Sequence, residues 1–181
     1  SVADFLVVAT GNSEPHLRAL RIEHRGRREP AAGTLLHLHG GGWVFGSNQT
    51  HLGLMARLAQ ATGCTVLGVD YALAPEQPFP QGLNDCAWAW RWLRAHASDA
   101  GPWIIAGDSA GANLAMGLML DLRHTGEPLP DAGLLFYGAY ATDFGTESNR
   151  QLGDGRFGQS TARMKTYWRL YLGDNPARDV D

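Results

Sequence analysis

Trp103-Ile104-Ile105-Ala106-Gly107-Asp108-Ser109-Ala110-Gly111 is the stretch on which the reading of this chain turns. An apolar run passes into a Gly-x-Ser-x-Gly pentapeptide, and a long apolar helix pattern opens at Ala110. The spacing predicts strand, sharp turn and helix with a serine at the apex, the arrangement of a nucleophile elbow. A serine there must hold a strained backbone so that its hydroxyl projects clear of the sheet. The flanking residues then pass close to neighbouring backbone, where Gly107 and Gly111 avoid a Cβ clash. The N–H of Ala110 falls at the helix N-terminus, where unsatisfied donors and the helix dipole favour negative charge. An oxyanion formed by attack of Ser109 would be stabilised there.

Outward from the elbow, apolar strands alternate with helix patterns. Asp4 to Thr10 and Leu17 to Glu23 read as two strands joined by a turn at Gly11-Asn12-Ser13, an edge pair with one wet face. Thr34 to His39 reads as a buried strand. Thr50 to Thr62 reads as a helix with Leu54, Leu58 and Ala61 on one face and Gly63 placed to end it. Cys64 to Val69 is another strand, followed by a proline-rich turn segment from Asp70 to Pro80. Gln81 to Ala97 is a long helix with Leu83, Ala87, Trp90 and Leu93 as its buried stripe. Trp88 and Trp92 flank that stripe as core residues. The helix from Ala110 to His124 is apolar nearly all round and so is expected to be buried. Ala132 to Tyr137 is one more strand, Gly138 to Gly158 is loop-like, and Thr161 to Leu172 is a last helix with Met164, Trp168 and Tyr171 on one side. The pattern predicts an α/β fold, a mostly parallel sheet with helices on both faces.

With 181 residues, 44% hydrophobic and 18% charged, the chain fits one globular domain with a sizeable core. A net charge of −3 gives no hint of a nucleic-acid surface, and Arg25-Gly26-Arg27-Arg28 reads as a solvated loop. Two cysteines, Cys64 and Cys86, make no disulfide framework, so a reducing, cytoplasmic setting is the simpler expectation. No apolar run approaches the roughly 20 residues of a membrane span, and no signal-peptide pattern opens the chain. No metal-ligand spacing is present.

A second motif, His39-Gly40-Gly41-Gly42-Trp43, closes the third strand. Consecutive glycines let backbone N–H groups point into a cavity with no side chain in the way. Such loops complete an oxyanion hole in esterases. They also cradle phosphates, but neither Gly-Lys-Ser/Thr nor G-x-G-x-x-G is present. Together with Asp70-Tyr71-Ala72-Leu73-Ala74-Pro75-Glu76, Phe79-Pro80 with Asp85, and Gly107 to Ala115, this loop makes the sequence resemble the hormone-sensitive-lipase-like branch of the α/β-hydrolase fold. The four segments occur in the family's order and cover nearly all of the chain from Thr34 onward. The resemblance implies a single α/β-hydrolase domain over 1–181, with 158–172 contributing to a cap. It implies a serine carboxylesterase acting on short- to medium-chain esters through an acyl-enzyme, with a small-molecule ester as partner, no cofactor and homo-oligomerisation left open. Ser109 would be the nucleophile, and Gly41, Gly42 and Ala110 the oxyanion-hole donors. His39 would hold the glycine loop, and Gly40, Gly107, Asp108 and Gly111 would support the two turns. Asp70 to Glu76 and Asp85 would fix loops behind the site.

Two departures stand out. The family usually has arginine after the Asp-Tyr pair, where this chain has Ala72, so a local ion pair is missing. More consequentially, the fold needs an acid and a histidine after the serine, and neither segment is here. His124, the one histidine beyond Ser109, lies fifteen residues along the same helix, about 20 Å away at 1.5 Å per residue. It reads as a charge near a helix C-terminus. His51 opens a helix, and no histidine is assignable as base. The expectation is a chain that is part of a longer protein, with the sheet incomplete at its C-terminal side. The alternatives are a catalytically inactive binding protein on the same scaffold, as in the family's gibberellin receptor, and an amidase or formamidase variant.

Overall fold

The structure is a computed structural model that describes residues 5–10, 18–24, 29–97 and 101–173. Its elements follow in the order β1 (Phe5–Thr10), β2 (Arg18–His24), β3 (Thr34–Leu38), α1 (Asn48–Thr62), β4 (Thr65–Asp70), α2 (Gln81–His96), β5 (Trp103–Asp108), α3 (Ala110–Thr125), β6 (Ala132–Phe136), α4 (Glu147–Leu152) and α5 (Thr161–Leu172). The expected Gly11-Asn12-Ser13 turn lies outside the described residues.

One six-stranded sheet runs β1-β2-β4-β3-β5-β6. β4, β3, β5 and β6 are parallel, while β1 and β2 join antiparallel at one side. The period-two alternation of strand side chains divides the interior between two faces. Leu36, Leu38, Leu67, Val69 and Ile105 face a core shared with Trp90 and Leu93 of α2, Leu114 and Leu118 of α3, and Trp168 of α5. Leu35, Val66 and Ala106 point the other way and pack with Ile22 of β2 and with Met55, Ala56 and Ala59 of α1. Helices thus cover both faces, as the unbroken apolar strands require.

Three details differ from expectation, and one agrees with it. The buried line of α1 is Met55, Ala56 and Ala59, whereas Ala61 is exposed. Gly68 is the reason: a Cβ there would meet Met55 Sδ at 2.5 Å, so α1 presses on the sheet through Met55. α3 is not buried all round, since Leu120 is exposed and Met116 only half-buried. β6 ends the sheet order on the side expected to be incomplete, and Ala132, Gly133 and Phe136 are exposed there. The stretch read as loop between Gly138 and Gly158 holds the short helix α4, capped by Thr146, with no buried residue.

Candidate active site

The parallel strands all end on one side of the sheet, and the connections there make the site. At the end of β5 the chain turns through Ser109 at φ 53°, ψ −118°, a conformation costly for a non-glycine residue. The turn is possible because its neighbours lack side chains. A Cβ on Gly107 would collide with Gly111 and lie 2.7 Å from Ala112 N, and one on Gly111 would collide with Leu38 O and lie 2.6 Å from His39 O. Ser109 N–H donates to Phe136 O at 2.8 Å, which ties the elbow to β6. The Ser109 hydroxyl makes no capping bond to α3 and so stays available. Ala110 follows as the first residue of α3, where backbone N–H groups have no partner inside the helix.

The glycine loop leaves β3 beside this elbow. Gly40 N–H donates to Asp108 Oδ1 at 3.1 Å. His39 Nδ1 lies 2.9 Å from Gly40 O, an atom that only accepts, so this nitrogen carries the proton. Burial, the largest influence, lowers the His39 pKa and keeps the ring neutral. Tyr71 OH donates to His39 O at 2.6 Å, and its ring stacks on His39 at 4.3 Å. Gly41 and Gly42 follow at φ 128° and 60°, and both Val44 N–H and Phe45 N–H close back onto Gly41 O. Trp43 then anchors the loop, stacked at 4.6 Å on Tyr171 of α5, while its carbonyl accepts from Ala74 N–H at 2.9 Å. The turn segment behind is held as expected. Asp70 Oδ1 accepts from Asn48 N–H at 2.6 Å, and Asp85 Oδ2 accepts from Ala72 N–H at 2.8 Å.

Asp108 is the hub of the arrangement. It is 6% exposed, so its charge must be met inside the protein. Besides Gly40 N–H, Oδ1 has His37 Nε2 at 3.5 Å. Oδ2 has His51 Nε2 at 3.5 Å and accepts from Tyr137 OH at 3.3 Å. Burial pushes the carboxyl pKa up, but the His37 and His51 ring nitrogens beside it outweigh that effect, and the carboxyl sits well below the ordinary range. The Asp108 carboxylate beside Nε2 raises the His51 pKa against the opposing effect of burial.

A cavity of about 1000 Å³ opens over these groups. Ser109, Asp108 and Gly40 to Gly42 form its floor; Phe45, His51 and Tyr137 stand around it; Gln159, Arg163, Met164 and Tyr167 form a wall from α5 and the residues before it. Of the residues singled out from the sequence, Gly40, Gly41, Gly42, Asp108 and Ser109 line this cavity, while His39, Gly107, Ala110 and Gly111 are their chain neighbours and do not line it. His51 is the member that sequence reasoning passed over. The signal was there: Ser47 and Thr50 form a capping box that fixes the first turn of α1 directly after the glycine loop. His124 is exposed in the last turn of α3, away from this cavity. Among the described residues, no group of three His, Cys, Asp or Glu side chains is placed to hold a metal ion. No described helix is long and apolar enough to cross a membrane.

Comparison with known proteins places this geometry. The profile of a family described as alpha/beta hydrolase fold matches residues 35–181. An acetyl-hydrolase of Streptomyces hygroscopicus is 44% identical over 101 residues, 56% of this chain and 34% of its own length. An acetyl esterase of Salmonella paratyphi A is 36% identical over 152 residues, 81% of this chain and 47% of its own. The crystal structure of an esterase from the bacterial hormone-sensitive lipase family superimposes with a TM-score of 0.85 at 37% identity, covering 96% of this chain and 58% of that one. The chain thus spans less than half the length of the first two relatives. It belongs to the α/β-hydrolase fold family, in its hormone-sensitive-lipase-like branch.

Proposed function

We propose that this chain carries the nucleophile and the oxyanion hole of a serine carboxylesterase. The observation behind this is Ser109 held at positive φ at the floor of the cavity, with its hydroxyl uncommitted and the glycine loop beside it. In this reading the Ser109 oxygen attacks the ester carbonyl carbon. The carbonyl oxygen becomes negative and is met by the N–H groups of Gly41, Gly42 and Ala110. The alcohol leaves, and water releases the acyl group from Ser109. Holding three donors in place before reaction is worth several kcal/mol of barrier, since loss of one costs about 2.7–4 kcal/mol in a comparable hole.

Attack needs a base to take the serine proton. His39 is neutral but sealed beneath the loop, and both ring nitrogens of His51 face other partners. In this reading the base and its acid lie outside the described residues, and the relatives it resembles are longer than this chain. The names of those relatives favour acetyl and other short acyl groups as substrate. Gln159 to Tyr167, within 158–172, would act as part of a cap that screens the ester from water. Cys64 and Cys86, both free and buried, suit a reducing, cytoplasmic setting.

The test is hydrolysis of nitrophenyl acetate by the complete protein. Ser109→Ala is expected to remove turnover by a factor of 10⁴ or more, on the order seen when a triad member is lost. Turnover in the variant equal to the wild type would overturn the proposal.

A further inference from the structure

His51 lines the cavity, and its ring faces a carboxylate, a carbonyl and a hydroxyl. Nε2 points at the Asp108 carboxylate, 3.5 Å from Oδ2. Nδ1 lies 3.2 Å from Ser47 O and 2.9 Å from Thr50 Oγ1. That hydroxyl receives the Ser47 N–H at 3.0 Å and gives its own proton to Ser47 O at 2.8 Å. A hydroxyl has one proton, so it either keeps this bond or turns towards Nδ1. Nε2 faces a carboxylate, which only accepts, and so carries a proton. With Thr50 bonded to Ser47 O, Nδ1 also faces a carbonyl and carries a second proton.

From this geometry we propose that His51 is a positioning residue: its imidazolium pins the Asp108 carboxylate where that group anchors Gly40 N–H, and so keeps the glycine loop aimed over Ser109. This deepens the esterase reading and rests on it for its kinetic consequence. The chain of contact is short. His51 holds Oδ2, Oδ1 of the same carboxylate holds Gly40, and the next two residues are the candidate donors Gly41 and Gly42. Gly40 has no room to shift towards its anchor, since a Cβ there would collide with Asp108 Oδ2.

The other titratable or charged groups around His51 are known. His37 of β3 and His39 just beyond it have ring centroids 5.9 and 5.5 Å away. Tyr137, after β6, donates to the same carboxylate oxygen at 3.3 Å. Its pKa is raised, by burial first and then by the Asp108 charge, so it stays a donor. Arg163 of α5 lines the same cavity. Asp108 is the single carboxylate among the residues lining the cavity. A group with a raised pKa keeps its contribution at low pH and loses it as pH rises through that value. Loss of the imidazolium therefore weakens catalysis on the alkaline side. A general-base histidine acts in the opposite sense, failing as pH falls, so the two limbs separate.

The experiment is a histidine proton titration by NMR on the complete wild-type protein, paired with pH profiles of nitrophenyl acetate hydrolysis for wild type and His51→Gln. His51 is expected to titrate above the ordinary value of about 6.5, and to move down in Asp108→Asn. In His51→Gln, kcat is expected to fall roughly tenfold, the loss of one partly buried charge contact. KM should stay within about twofold, since the ester's own contacts are untouched, and the alkaline limb should vanish. A His51 titration at or below about 6.5, or a wild-type profile in His51→Gln, overturns the proposal. The titration is read on the wild type and needs no variant to fold. Absence of all ester hydrolysis in the wild type would sink the esterase reading instead, and the titration would still decide the pair.

Discussion

Asp108 shows how one side chain can serve stability and the site together. Its carboxylate is buried and meets groups from β3, the glycine loop, α1 and the end of β6. With a folded pKa well below the unfolded one, it contributes stability that is fully present above about pH 3.9. That contribution is lost as pH falls from there towards the folded value. The expected result is an Asp108→Asn variant less stable than the wild type at pH 7, with the gap narrowing below about pH 4. Urea midpoints at pH 7, 5 and 3 would measure it. A gap that stays constant, or one that widens in acid, would contradict the role given to this carboxylate. Ser109 and the two glycines around it were legible from sequence because steric necessity is local. A serine at a sharp strand-to-helix turn needs glycine on both sides, and the collisions at Gly107 and Gly111 show why. His51 was half legible: the Ser47 and Thr50 cap marks its turn in the sequence, but its partner Asp108 sits on β5, 57 positions further along, and only the fold brings the two together.

At the scale of elements, α1 carries the largest lesson. Its C-terminal limit followed from Gly63, which ends the helix in the left-handed region at φ 68°, while its start lies at Asn48 and not at Thr50. Its buried face did not follow, because the sequence stripe Leu54-Leu58-Ala61 ignores what the sheet offers. Gly68 on β4 leaves a depression, and Met55 and Asn48 lie over it. This packing sets how far α1 stands from the sheet and so where His51 meets Asp108. Gly68→Ala would place a Cβ against Asn48 Oδ1 and Met55 Sδ. It is expected to cost about 1–3 kcal/mol of stability, as overpacking does, and a urea unfolding curve reads it. Unchanged or increased stability would mean that α1 is not seated through this contact. The helix α4 escaped the sequence for a simpler reason: six residues with none buried leave no periodic apolar signal.

For the molecule as a whole, alternating strands and helices gave the architecture, and the order β4-β3-β5-β6 with an antiparallel pair at one side fits it. Cover over β6 could not be read from the strand itself. Ala132 to Phe136 is as apolar as the buried strands, but its exposure depends on what lies next to it in the sheet. The central claim concerns the one residue that all of this architecture lifts into the cavity. Treating the complete protein with a fluorophosphonate and locating the adduct by peptide mass tests it most directly. A single adduct on Ser109, blocked in Ser109→Ala, is the predicted result. No adduct, or an adduct on another serine with Ser109 untouched, would contradict it.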